Sequence, residues 1–464
     1  GRNLLGDDAP LREAVVREGA GWALAELEEA GAFWGGEPQR WGVLANERPP
    51  VLRTHDRYGH RVDHVEYDES WHKLMRAGFE RRVHAQPWTD EREGAHVARG
   101  AHFILCGQAD AGFLCPTTMT FAAVPALRAT PELAAEWEPL LTAAAYDPEL
   151  RPASEKDSAV CGMAMTEKQG GSDVRANTTR AIPLNGGGPG AEYEIVGHKF
   201  FCSAPMSDLF LILAQTDEGL SCFALPNVLP DGSRNGIRVQ RLKDKLGNHS
   251  NASSEVEYHG AIARMVGEPG RGVPTIIEMV GHTRLDCTLG AAAGMRWAVN
   301  EAAWHVAHRA AFGKLLSDQP LMRNVVADLA IEAEATTAVA LRLARAYDRA
   351  DDDPQEAHLK RLGTAVAKYH ACKRVPGHAF EALECFGGVG YVEESGMPRL
   401  YREAPLASIW EGSGNVMALD VLRALARTPE ALEAFFAEVD LAAGADARLD
   451  AFTADLRAEF GDPA

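Results

Sequence analysis

The chain has 464 residues, 46% hydrophobic and 24% charged, with 66 acidic against 47 basic side chains and a formal net charge of -19. This composition supports a buried core and excludes a disordered chain, while the acidic balance opposes loose nucleic-acid binding, which draws its affinity from lysines and arginines displacing counterions. The eight cysteines form no C-x-x-C pair, no apolar run reaches the roughly 18 residues of a membrane span, and the opening residues lack the regions of a secretory signal, so a reduced, cytoplasmic protein with no membrane contact is expected.

From about residue 8 to 155 the apolar residues recur at helical spacing, as in LREAVVREGAGWALAELEEA (11–30), with Asp8 and Pro10 forming a helix start. A turn-rich segment, NERPPVLRTHDRYGHRVDHVEYD (46–68), interrupts these helices. Between about 158 and 268 the period changes. EYEIVGHKFFCS, DLFLILAQT, LSCFALP, GIRVQRL and SSEVEYHG are short, rich in β-branched and aromatic residues and bounded by glycine-rich turns, which predicts a compact antiparallel domain. From about 272 the helical pattern returns in TRLDCTLGAAAGMRWAVNEAAWHVAHRAAF (283–312), PLMRNVVADLAIEAEATTAVALRLARAYDRA (320–350) and EAHLKRLGTAVAKYHACKRVPGHAFEALECF (356–386), and their alanines and glycines suit a close-packed bundle. The organisation expected is α+β: a helical domain over 1–157, a β-domain over 158–270, a four-helix bundle over 271–428 and a helical extension over 429–464, with truncation of that extension left open.

MAMTEKQGGSDVRANTTRA (163–181) starts as a strand and breaks into a loop in which paired glycines let backbone approach a ligand and Thr166 and Ser172 offer hydroxyls. Taken alone it is an ordinary polar turn. Its Thr166, Glu167, Gly171, Ser172 and Asp173, however, resemble the T-E-x-x-x-G-S-D flavin loop of the acyl-CoA dehydrogenase family. Four further segments resemble family motifs in the same order: GHKFFCSAP (197–205), AHRAAFGKLLSDQ (307–319), CFGGVGY (385–391) and IWEGSGNVM (409–417). The wider segments RLKDKLGNHSNASSEVEY and YREAPLASIWEGSGNVMALDVLRAL resemble the AidB-like branch of the alkylation-damage response, and that similarity runs along nearly the whole chain.

The resemblance implies the acyl-CoA dehydrogenase fold: a helical domain, a central antiparallel β-barrel domain and a C-terminal helical bundle. It also implies an FAD cofactor and dehydrogenation of an acyl-CoA or similar activated substrate, with Glu411 as the base that removes the α proton. Burial beside Trp410 would raise the carboxyl pKa of Glu411, and Arg284, counted with it as catalytic, would pair with it and lower the value. Thr283 stands where relatives place an alternative base, so Glu411 has no rival carboxylate.

On the cofactor side the resemblance implies contacts from Met163, Met165, Thr166, Gly171 and Ser172. Phe201, standing where many relatives carry tryptophan, and Ser203, near the flavin N5, follow from the second motif. Arg309, Phe312 and Gln319 would reach the ADP half across a subunit interface, beside Gly387 and Gly388, while Glu384 replaces a usual glutamine there. Ile409, Trp410, Ser413 and Asn415 would close over the cofactor. An electron-accepting flavoprotein partner and a homotetramer built as a dimer of dimers follow from the same family.

The branch resemblance also raises a DNA-binding role. The segment from 430 onward opposes it, with nine acidic residues, Asp462 the last, against Arg448 and Arg457. A flavin oxygenase or oxidase on the same scaffold is the third reading. His55, His60 and His64, and the pair His305 and His308, have no completing cysteine or carboxylate set, so no metal site is expected.

Overall fold

The computed structural model describes residues 1–461; residues 462–464, and with them Asp462, lie outside the described residues. The first part of the chain is a set of helices, of which α1 (Ala95–Gly107) and α2 (Leu114–Leu127) carry the deepest burial. The turn-rich interruption is ordered as a hairpin of β1 (Val51–His55) and β2 (Arg61–Glu66), which the polar alternation of RVDHVE did not announce. Its tip is closed by Asp56, whose Oδ1 accepts the backbone N–H groups of Tyr58 and His60 at 2.8 and 2.9 Å.

The central sheet comprises β3 (Cys161–Ala164), β4 (Arg180–Pro183), β5 (Glu192–Ser203), β6 (Leu209–Thr216), β7 (Gly219–Pro226), β8 (Ile237–Leu242) and β9 (Ser253–Val266). Pairings run from β6 through β4, β5, β9 and β7 back to β6, so the sheet closes on itself, with β3 and β8 added outside the circuit. The expectation of wholly antiparallel strands is corrected at β6, which runs parallel to β3, with Cys161 opposite Leu209, and to β4, with Arg180 opposite Gln215. Between β3 and β6 in sequence, β4 runs in the same direction as both, and β5 alone is reversed.

β6 shows why an apolar run can still be a strand. Leu209, Leu211 and Leu213 face the helical layer that includes α2, while Phe210, Ile212 and Ala214 face the interior of the closed sheet. Both faces are covered, so the period-2 alternation leaves no polar side.

The C-terminal bundle is built from α3 (Gly272–His308), α4 (Pro320–Arg349), α5 (Pro354–Glu384) and α6 (Gly414–Arg427), followed by helices Glu430–Asp440 and Ala447–Gly461. Proline opens α4 and α5, and the Asp353 side chain caps α5 by accepting from Gln355 N at 2.9 Å. Small residues set the spacing between α1 and α3: a Cβ added at Gly107 would lie 2.9 Å from Ala293 Cβ.

Helix α3 begins well before Thr283 and ends at His308, where the helical pattern was expected to continue to Phe312. There the chain instead forms a tight hairpin, Ala310–Ala311 against Lys314–Leu315, with Phe312 and Gly313 at φ 54° and 75°. A glycine at the second left-handed position makes that turn accessible. Among the described residues no helix is long and apolar enough to cross a membrane.

Candidate active site

Glu411 lies in the turn between the single-turn helix Leu406–Ser408 and α6, with φ 56°, and Gly412 follows at φ 111°. A non-glycine residue in this region costs about 1–2 kcal/mol, so the surroundings must impose it. They do so with cations. Lys368 of α5, buried, donates to the carbonyl oxygens of Trp410 and Gly412, and Arg284 Nε donates to the Glu411 carbonyl at 2.9 Å, so three successive carbonyls are each held by a positive donor. Lys368 was missed in the sequence, although a lysine within the apolar stripe Ala365, Cys372, Val375 is a readable signal.

The Glu411 side chain turns inward, and its Oε2 accepts a hydrogen bond from Thr283 Oγ1 at 2.7 Å. Burial pushes the carboxyl above its ordinary range; Thr283, Arg284 and Lys368 pull it back without overcoming that penalty. Arg284 had been expected to pair with this carboxylate as a catalytic partner. Instead its guanidinium reaches the Glu411 backbone and, through NH1, Asp420 Oδ2 at 3.0 Å, which makes it a positioning residue. The fork geometry of guanidinium suits two such acceptors at once, and the anion of Asp420, shared with Arg361, is the stronger attraction.

Facing this turn is the C-terminal end of β3 and the loop after it. Glu167 is the anchor of that loop rather than a ligand group. It is fully buried, accepts from Lys199 Nζ at 2.8 Å and takes the N–H groups of Thr178 and Thr179 at 2.7 and 3.2 Å. Burial pushes its carboxyl up, but Lys199 and these donors outweigh it and hold the value at about 2. Gly171 fits against Thr166, whose Oγ1 would sit 2.6 Å from an added Cβ, and Ser172 is exposed.

Met163, Met165 and Trp410 are partly buried and pack against one apolar cluster with Met206. The neighbouring strand end of β5 presents Phe201, half exposed, and Ser203. Lys243 Nζ lies 4.5 Å from the Phe201 ring centroid and 3.1 Å from that of Phe200. Ser203 Oγ meets Ser253 Oγ at 3.1 Å. Cys115 of α2 looks into the same space: burial pushes its thiol up to about 11, with Lys245, Ser203 and Asn251 pulling it back and the Glu411 charge pushing it further.

This constellation fits a flat, amphipathic ring. Its walls are thioether and aromatic, and buried polar atoms without partners, Trp410 Nε1 and both amide atoms of Asn251, remain at its edge.

The other expected contacts gather elsewhere. Arg309, Phe312, Glu384, Gly387 and Gly388 are exposed, Phe312 at 98%. Gln319 is tied to the hairpin through Ala311 O at 3.4 Å. His305 stacks on Phe386 at 4.2 Å and thereby joins the end of α3 to the glycine turn, while His308 stacks on Trp304. Arg309 follows Thr283 by about 26 residues, roughly 39 Å of α-helix at about 1.5 Å per residue. Ile409 and Asn415 are also exposed, and Ser413 stands at the N-cap of α6.

A helical unit, a closed β-domain and a helical bundle around a partly buried, inward-turned glutamate are the arrangement of an acyl-CoA dehydrogenase. Residues 162–261 match the acyl-CoA dehydrogenase middle domain, residues 270–426 its C-terminal domain, and residues 1–148 the adaptive response protein AidB N-terminal domain. The chain is 49% identical to AidB of Escherichia coli (strain K12), over 100% of this chain and 85% of that protein. It is 32% identical to acyl-CoA dehydrogenase family member 11 of Caenorhabditis elegans, over 93% of this chain and 72% of that one. Among solved structures, Caenorhabditis elegans ACDH-11 in complex with C11-CoA superposes with a TM-score of 0.88 at 30% identity, covering 95% of this chain and 76% of that chain. The chain belongs to the acyl-CoA dehydrogenase family, in its AidB-like branch. It is an FAD-dependent acyl-CoA dehydrogenase-like oxidoreductase.

Proposed function

We propose that Glu411 removes the proton α to the carbonyl of an acyl-CoA thioester. One observation carries the reading: a carboxylate held in a left-handed turn, partly buried next to Trp410, raised above its ordinary pKa and fixed by Thr283 through one oxygen only. A base with a raised pKa is a better proton acceptor near neutral pH, and Thr283 leaves Oε1 for the substrate. When bound, FAD supplies the acceptor for the β-hydride. Met163, Met165 and Phe201 would line its ring, Thr166, Gly171 and Ser172 its polar border, and Ser203 its N5 edge. Lys368 and Arg284 hold the backbone at Glu411 and on both sides of it, so that the carboxylate does not swing.

Arg309, Phe312 and Gln319 follow the far end of α3, and Glu384, Gly387 and Gly388, at and after the end of α5, are joined to that end by the His305–Phe386 stack, so the group stands most of the length of α3 from its own Glu411. They serve the ADP half of a cofactor on another subunit, in a homotetramer arranged as a dimer of dimers. Ile409, Ser413 and Asn415 border the same interface. A second flavoprotein takes the electrons onward, in the cytoplasm. DNA is disfavoured as a partner by the net charge of -19 and by the acidic helices after α6.

The test is a spectral titration of the purified protein against an acyl-CoA panel, with Glu411→Gln alongside. The native protein should bleach with at least one member while the variant binds it without bleaching. Bleaching at the native rate in the variant overturns the assignment.

A further inference from the structure

Ser203 and Ser253 are cross-strand partners, the last residue of β5 opposite the first of β9, and their hydroxyls are 3.1 Å apart. A second contact decides which of them donates. Lys245, in the loop between β8 and β9, places Nζ 2.6 Å from the carbonyl oxygen of Asn251 and 3.3 Å from Ser253 Oγ. An ammonium has donors and no acceptor, so Ser253 must accept from it. A hydroxyl has one hydrogen. Ser253 Oγ has a second lone pair, so its own hydrogen is placed by the lack of another acceptor: among the described residues Ser203 Oγ is the acceptor within its reach, and the hydrogen of Ser203 is left for the space beside Cys115.

We propose that Lys245, acting through Ser253, is a positioning residue that fixes Ser203 as a hydrogen-bond donor toward the flavin and releases it when the lysine loses its proton. The inference rests on the flavin reading above. The neutral amine has a lone pair and can accept from Ser253, which lets the chain reverse so that Ser203 presents a lone pair instead. The setting makes that proton loss accessible: burial pushes Lys245 down to about 8, against the opposing pull of Cys115 on α2, Glu403 and Asp110. The lysine's other partner is the backbone carbonyl of Asn251, which accepts from either protonation state.

The experiment follows the visible spectrum and midpoint potential of the flavin in the holoprotein from pH 6.5 to 9.5, for the native chain, Lys245→Met, Lys245→Arg and Ser253→Ala. The native protein should show a reversible inflection near the lysine's titration. Lys245→Met and Ser253→Ala should lose that inflection. Lys245→Arg should hold the low-pH spectrum and potential trend throughout, because a guanidinium stays charged over this range. Ser253→Ala leaves the lysine in place, so the relay remains testable if Lys245→Met folds poorly. An inflection that survives in Ser253→Ala, or a native profile without one, overturns the relay while leaving the flavin reading intact. A native protein that retains no flavin overturns the reading beneath it as well.

Discussion

At Glu411 two opposing influences meet, and each can be removed singly. Thr283 Oγ1 stabilises the carboxylate form, so Thr283→Val takes away a charge-assisted bond and drives the pKa further up. The base works only when ionised. The acid limb of the kcat/KM profile should therefore move to higher pH, with a loss of about tenfold or more below the limb, since such bonds contribute about 1.5–3 kcal/mol, and little change on the alkaline plateau. An unshifted limb would show that the threonine hydroxyl does not touch the ionised base. Burial is the opposing influence and is read through stability. Glu411 is raised in the folded protein, so its favourable contribution is complete below its ordinary value of 4.5 and is lost as pH rises through the folded value. Glu411→Gln mimics the neutral acid at every pH. Thermal unfolding should give equal midpoints for native and variant at pH 4 and a higher midpoint for the variant at pH 8, the gap growing by about 1.4 kcal/mol for each pH unit between the unfolded and folded values.

Among the elements, the loop after β3 depends on one buried pair. Lys199→Met leaves Glu167 buried without its cation, and breaking such a pair costs about 3–5 kcal/mol. Urea unfolding should show that loss, and amide exchange should rise first over residues 165–179, which Glu167 ties down through Thr178 and Thr179. In the native protein Glu167 is depressed, so its contribution is full above 4.5 and disappears as pH falls toward about 2. The elements themselves were largely legible. β5 spans Glu192–Ser203, the same residues that the β-branched and aromatic run marked, because alternation and bounding glycines act locally. Partners distant in sequence were not legible. Nothing near Lys368 names the carbonyls 42 and 44 positions away that it holds, and Thr283 could be noted as lacking a carboxylate but not as the donor to Glu411. The hairpin after His308 was hidden because AHRAAF keeps the alanine content of the helix before it, and only Gly313 signals the turn.

The whole molecule carries two sets of residues assigned to one cofactor, separated by most of the length of α3, and this separation makes a prediction that single-subunit variants cannot. If Arg309 acts on the cofactor of a neighbouring subunit, Glu411→Gln and Arg309→Glu damage different halves of two composite sites. Each homo-oligomer should be inactive or poorly loaded with flavin. In a mixed pair, one site collects both lesions and the other collects neither. Co-expression with two affinity tags, followed by isolation of the doubly tagged species, should therefore restore activity, up to about half of native where every pair is mixed, because a two-fold interface exchanges the same residues in both directions. Were Arg309 to serve its own subunit, every site in the mixed pair would keep one lesion and no activity would return. Each chain retains its native α3 and its native β-domain, so recovery cannot come from refolding of either one. The exposed aromatic groups around the same end of the bundle, Phe312, Tyr391 and Trp304, are the surface such a pairing would cover, and sedimentation of the doubly tagged species should give an assembly larger than one chain at micromolar concentration.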